Sequence, residues 1–213
     1  RRFIKTHTPL DGLPLNDLVT YIVVARHPLD RAVSLYHQGD NLDRDRIGQL
    51  TGQEASRRPA RARPPVRDWL LAWIDARSDP REQLDSLPGV LWHLSDAWSR
   101  RHQRNVLLVH YDDLSTDLGA AMRRVADRLG IVVAPGLWPD LVDAARFDQM
   151  RARAPQLAPG TAGTLRDPRR FFRRGTSGAG EELLAPAELA HYHARTAQLA
   201  PEDLLHWLHR PRP

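Results

Sequence analysis

Four short stretches hold the side chains of this sequence that could do chemistry. In F-I-K-T-H-T-P-L (residues 3–10), Lys5 and His7 stand two positions apart ahead of Thr-Pro. A neutral imidazole can accept a hydroxyl proton at neutral pH, and an ammonium beside it offsets negative charge on a group in transit. The competing reading of His7 is a hydrogen-bonded histidine at a strand end. In Y-I-V-V-A-R-H-P-L-D-R-A-V-S (residues 21–34), an apolar run ends in Arg26, Pro28 opens a helix and Ser34 follows two turns in. A guanidinium fork and a hydroxyl there can share one anion near a helix N-terminus. The competing reading pairs Arg26 with Asp30. In F-F-R-R-G-T-S-G-A-G (residues 171–180), Arg173 and Arg174 precede three glycines, the first of them Gly175, whose missing Cβ lets backbone N–H groups approach a phosphate. A flexible basic loop is the alternative. Together, Arg26, Ser34, Arg173, Arg174 and Gly175 point to a phosphate-bearing ligand.

The elements that must position these residues follow from periodicity. Residues 3–6, 21–25 and 106–109 are short, apolar and rich in β-branched side chains, the pattern of parallel strands buried on both faces. Each stops at polar side chains: His7, Arg26, and His110-Tyr111-Asp112-Asp113. Ligands of open α/β sheets bind at the carboxyl ends of strands, so the expected fold is α/β, a parallel sheet flanked by helices. Side chains alternate along a strand, which sets Lys5 and His7 on one face of the first. Helices are expected over residues 28–38, 68–76, 91–103 and 118–129. The last has Leu118, Ala121, Met122, Val125 and Leu129 at helical spacing, Ser115 or Thr116 as cap and Gly130 as stop. Trp69, Trp73, Leu94 and Trp98 read as core. Residues 44–67, rich in Arg and Pro, read as a mobile surface loop with a lid as the functional alternative, and residues 154–163 as a second Pro/Gly-rich link.

Composition bounds the function. With 213 residues, 41% of them hydrophobic, the chain can bury one sizeable core, so a single domain over 1–213 is expected. The absence of cysteine removes disulfides, thiolate nucleophiles and Cys-based zinc sites, and fits a cytoplasmic location. No apolar run approaches the roughly 20 residues of a membrane span. A net charge of +5 favours anionic partners. The basic residues are scattered, with no stripe interleaved with aromatics, which favours a small polyanion over nucleic acid.

The order of "KTHTPL", "VARHPLDRAVSLYH", "LLVHYDDL" and "FFRRGTSG" resembles that of the cytosolic-type sulfotransferases, whose fold is related to P-loop nucleoside triphosphate hydrolases. Those enzymes move a sulfuryl group from 3'-phosphoadenosine 5'-phosphosulfate (PAPS) to a hydroxyl or amine of a small acceptor. The resemblance implies a catalytic base at His7 and a lysine near the transferred group at Lys5. It implies a 3'-phosphate grip by Arg26, Ser34, Arg173, Arg174 and Gly175, with Arg174 where the family has lysine. It also implies an adenine neighbour at Tyr111 and an adenine-stacking ring at Phe147. No metal is expected, since arginine and lysine supply the positive charge.

Departures from the pattern qualify these expectations. The chain starts with Arg1-Arg2, past the place of the family's first strand and 5'-phosphosulfate loop, so a domain lacking both is expected, inactive alone and with a sheet edge that invites dimerisation. Ala145 and Arg146 stand where many members carry small hydroxyl residues, and Ala-Gly-Glu-Glu replaces the usual continuation of the glycine-rich motif. A non-catalytic nucleotide-binding or interaction remnant is the alternative, and an arginine-rich nucleic-acid binder a third class. The acceptor is not legible in these residues.

Overall fold

The computed structural model describes residues 2–52, 63–159 and 163–211. The elements run β1 (Tyr21–Ala25), α1 (Pro28–Asn41), α2 (Arg44–Thr51), α3 (Val66–Ile74), α4 (Leu87–Ser99), β2 (Val106–His110) and α5 (Tyr111–Thr116). They continue with α6 (Leu118–Leu129), α7 (Trp138–Ala144), α8 (Phe147–Ala152), α9 (Ala154–Leu157), α10 (Pro186–Ala197) and α11 (Glu202–Leu208). The chain divides into two compact units. The first comprises Arg1–Pro28, Leu71–Asp113 and Leu184–Pro213, and the second Leu29–Leu70 and Leu114–Leu183.

The first unit holds the sheet. β1 and β2 pair in parallel from Tyr21↔Val106 to Ala25↔His110. Val23, Ala25, Val106 and Val109 are buried, whereas Ile22 and Val24 are 40% and 59% exposed. The expected burial on both faces is therefore corrected: on β1 one set of alternating side chains is packed and the other is bare. α4 supplies the stripe of Leu87, Val90, Leu91, Leu94 and Ala97, all buried, and each leucine contributes about 2 kcal/mol by leaving water. It starts four residues earlier than its periodicity indicated, because Ser86 caps it by accepting from the Gly89 N–H. A Cβ at Gly89 would stand 2.3 Å from the Gln83 carbonyl oxygen, so only glycine fits that turn. Trp73 is core, its indole N–H given to the Asp85 carbonyl at 2.7 Å, while Trp98 is half-buried, stacked on Trp207 and donating to Asp203.

Residues 3–6 are not a strand. Phe3 and Ile4 are 96% and 86% exposed, and the backbone there is irregular. A strand requires a ladder partner, and among the described residues β1 and β2 pair only with each other. Locally, the Thr6 hydroxyl accepts from the Thr8 N–H at 2.9 Å, a turn that competes with extension, and Pro9 follows without a donor.

The second unit is helical and is organised around α1. Asn41, 1% exposed, ends that helix three residues past the expected limit. Its amide donates to the Asp167 carbonyl at 2.9 Å and accepts from the Asp167 N–H at 3.0 Å, while its carbonyl accepts from the Arg166 N–H. Ala154, Ala158 and Phe172 form a small core joined by Phe147, Met150 and Leu165, so the expected link over 154–163 begins as packed structure in α9. The expected loop over 44–67 is corrected as well. Residues 44–51 form α2 with no buried residue, held by its ends: Asp43 caps the Arg46 N–H and Gly52 closes it at φ 67°. Residues 53–62 and 160–162 lie outside the described residues. Asp117, not Ser115 or Thr116, caps α6, since those two belong to α5, and Gly130 ends it at φ 59° as expected.

In the first unit the rings of His27, Tyr192 and His193 gather around His209, the first two of them buried. The Tyr192 hydroxyl and His209 Nε2 share a 2.8 Å hydrogen bond, with His27 4.8 Å and His193 5.2 Å from the His209 ring, centre to centre. Burial, then the charges of His27 and His193, push the His209 pKa down to about 3. A histidine held neutral in the folded state contributes stability that is complete above its unfolded pKa of about 6.5 and is lost as pH falls toward 3. Lowering the pH from 7 to 5 should cost about 2 kcal/mol through this group alone. Denaturant melts of the parent and His209→Leu at both pH values test it: the variant's loss should be smaller by that amount, and equal losses would remove His209 from the acid response.

Candidate active site

The sequence-derived site residues divide between the units. The first carries Lys5, His7, Arg26 and Tyr111, the second Ser34, Phe147, Arg173, Arg174 and Gly175. Within the first, the structure joins Arg26 and Tyr111: the guanidinium lies 4.2 Å from the centroid of the ring. Parallel pairing of β1 and β2 accounts for this, because Ala25 is opposite His110 and the next residue of each chain leaves the sheet at the same end. Lys5 and His7 sit on the exposed irregular segment, so strand alternation does not hold them together. His110 turns inward, fully buried against the ring of Trp207 with Nδ1 accepting from the Asp112 N–H, and burial lowers its pKa. Asp113 pairs with Arg210. Of this polar run, Tyr111 is the residue that meets Arg26.

In the second unit the basic loop lies along α1. Asp30, 2% exposed, accepts the Gly178 N–H at 2.7 Å and the Gly180 N–H at 2.9 Å. Two of the three glycine N–H groups of the expected phosphate cradle are thus engaged by Asp30. Gly175 keeps the role of a bend, at φ 72°, and a Cβ there would meet the Phe147 ring at 2.6 Å. Phe147 in turn packs edge-on against Phe172 at 6.1 Å. Arg174 forks onto Glu182, with contacts of 3.0 and 3.4 Å on the surface.

His37 reports the field of this loop. Burial lowers its pKa, and the charges of Arg173, Arg63 and Arg170 push in the same direction against the opposing pull of Asp40. Arginine charge close enough to disfavour an imidazolium is suited to a polyanion. The His37 signal was present in the sequence, one turn after Ser34, but nothing in the sequence placed Arg173 near it. Among the described residues no group of His, Asp and Glu side chains could hold a metal, and no helix is long and apolar enough to cross a membrane.

Comparison with known proteins turns this geometry into an assignment. The sulfotransferase domain family matches residues 1–200. The chain belongs to the sulfotransferase family. A glycolipid sulfotransferase of Mycobacterium bovis is 39% identical over 230 residues, covering 100% of this chain and 70% of the relative. Its Mycobacterium tuberculosis counterpart is 40% identical with the same coverage. The structure of retinol dehydratase with androsterone and the inactive cofactor PAP matches at a TM-score of 0.71 and 24% identity, over 100% of this chain and 55% of that one. Mouse sulfotransferase SULT7A1 complexed with PAP matches at 0.70 and 18%, over 99% and 71%. The fold is thus that of the sulfotransferases, α/β with a parallel sheet, and the enzyme class is PAPS-dependent sulfuryl transfer.

If Arg173 meets a ligand phosphate, its charge on His37 is offset and the His37 pKa rises toward the unperturbed value. NMR titration of the His37 ring with and without adenosine 3',5'-bisphosphate should show this upward shift, and an unmoved titration would place the anion away from Arg173.

Proposed function

We propose that this sulfotransferase grips the 3'-phosphate of its donor with Arg26, Ser34, Arg173, Arg174 and Gly175, and that His7 is the general base. The observation that carries the reading is the attachment of the basic loop to Ser34's helix: Asp30, one turn before Ser34, accepts the Gly178 and Gly180 N–H groups of the stretch that carries Arg173 and Arg174. Tyr111, under the Arg26 guanidinium, and Phe147, against Gly175, are the aromatic faces available to the adenine. The donor supplies an activated sulfuryl group. His7 takes the acceptor's proton, and the Lys5 ammonium offsets charge on the transferred oxygens. Both side chains are exposed, which leaves them open to ligand.

The acceptor is a hydroxyl or amine of a small molecule. The mycobacterial relatives named as glycolipid sulfotransferases, about two-fifths identical, favour a sugar hydroxyl on a lipid. A cytoplasmic location accords with a chain free of cysteine.

Transfer of labelled sulfate from PAPS to a panel of glycolipids, phenols and amines tests the reading. His7→Ala should lower turnover by about 100-fold or more while adenosine bisphosphate still raises the melting temperature. Arg26→Ala should lose that thermal shift. A His7→Ala protein as fast as the parent would remove the histidine from the chemistry, and an Arg26→Ala protein stabilised like the parent would remove the arginine from the site.

A further inference from the structure

We propose that Asp30 is a positioning residue for donor binding: its buried carboxylate sets the register of the Arg173–Gly180 loop along α1. The inference rests on the donor reading above.

Asp30, Ser34 and His37 follow one another at i, i+4 and i+7, so they lie on one face of α1 in successive turns. The loop meets that face at two levels. Gly178 and Gly180 donate their N–H groups to Asp30, at the first turn, and the Arg166 and Asp167 N–H groups bond to Asn41, at the last. The stretch therefore runs antiparallel to α1, and Arg173, Arg174 and Gly175 lie in sequence between its two points of attachment, on either side of Ser34 along the helix. Asp30 fixes this register because each carboxylate oxygen takes a different N–H, a two-point grip that a one-residue slip would break. The backbone adds a steric stop. A Cβ on Gly180 would stand 2.4 Å from Leu29 Cβ and 2.6 Å from its carbonyl carbon, and Gly178 adopts φ 106°, a conformation that other residues resist.

A carboxylate is the right group for this work. It accepts at both oxygens, so both buried donors are satisfied, and its negative charge in the first turn of α1 is favoured by the helix N-terminus. In an Asp30→Asn variant the amide would accept one N–H and oppose the other with its own NH2. Such a variant keeps the size of the side chain while loosening the loop.

Two variants and two measurements test this. Asp30→Asn and Gly180→Ala disturb the same junction from opposite sides. Each should weaken adenosine 3',5'-bisphosphate in titration calorimetry by about 10-fold or more, the scale of one lost charge-assisted hydrogen bond. In turnover assays, KM for PAPS should rise with a much smaller change in kcat. Hydrogen exchange supplies the readout that needs no ligand: the Gly178 and Gly180 amides, protected in the parent, should exchange rapidly in Asp30→Asn. Variants that bind the bisphosphate as the parent does overturn the proposal, even if exchange at the two glycines quickens, since Asp30 would then serve stability alone. A parent that does not bind the bisphosphate overturns the donor reading, and with it the role given to Asp30 here. Should Asp30→Asn fail to fold, Gly180→Ala decides through the same calorimetry.

Discussion

A buried polar group must find partners, and two such groups on α1 shape the second unit. Asp30 and Asn41 are almost wholly removed from water, and both satisfy themselves with backbone groups more than a hundred positions away. Their spacing of eleven residues (41 − 30) corresponds to about 16 Å along a helix. The stretch they hold, from Asp167 to Gly178, has the same separation of eleven (178 − 167), and fully extended it would reach about 36 Å. The slack has to be folded away. A tight turn at Pro168–Phe171, the burial of Phe172 and the bend at Gly175 take it up, so the basic residues stand on a stretch whose two ends are fixed and whose middle is compressed.

This arrangement separates holding from charge. The residues that hold the stretch are Asn41, Asp30, Phe172 and the glycines. The residues that give it its charge are Arg170, Arg173 and Arg174. Arg174 is engaged with Glu182 on the surface, where such a pair is worth little and is easily exchanged for a stronger anion. The first unit shows a similar economy. The pairing of β1 with β2 brings Arg26 and Tyr111 to the same end of the sheet, where the guanidinium lies over the ring.

Much of this was legible in the sequence, for identifiable reasons. β1 and β2 declared themselves because short β-branched runs ending in polar residues have few other uses, and α6 because a stripe and a terminal glycine agreed, even though its cap is Asp117. Residues 3–6 carried the same strand pattern, yet the pattern describes one chain and a ladder needs two. α2 had no stripe to read and is written only in its ends, Asp43 and Gly52. The basic loop was visible as chemistry, whereas its attachment was not: Asp30 looked like a local partner for Arg26, and nothing short-range tells a carboxylate that its donors are Gly178 and Gly180. The histidine cluster around His209 was hidden in the same way, assembled from residues of no local pattern.

The absence of a side chain at position 180 has a consequence for how such a protein can change over time. Because Leu29 fills the space that a β-carbon there would need, the backbone path of the loop is set by a close contact, separate from the side chains of the neighbouring arginines. Variation can then act on the charges one at a time, lysine for arginine or a neutral residue for either, and leave the scaffold beneath them undisturbed. A binding surface built this way can be retuned toward other polyanions by single steps, each of which begins from a folded protein.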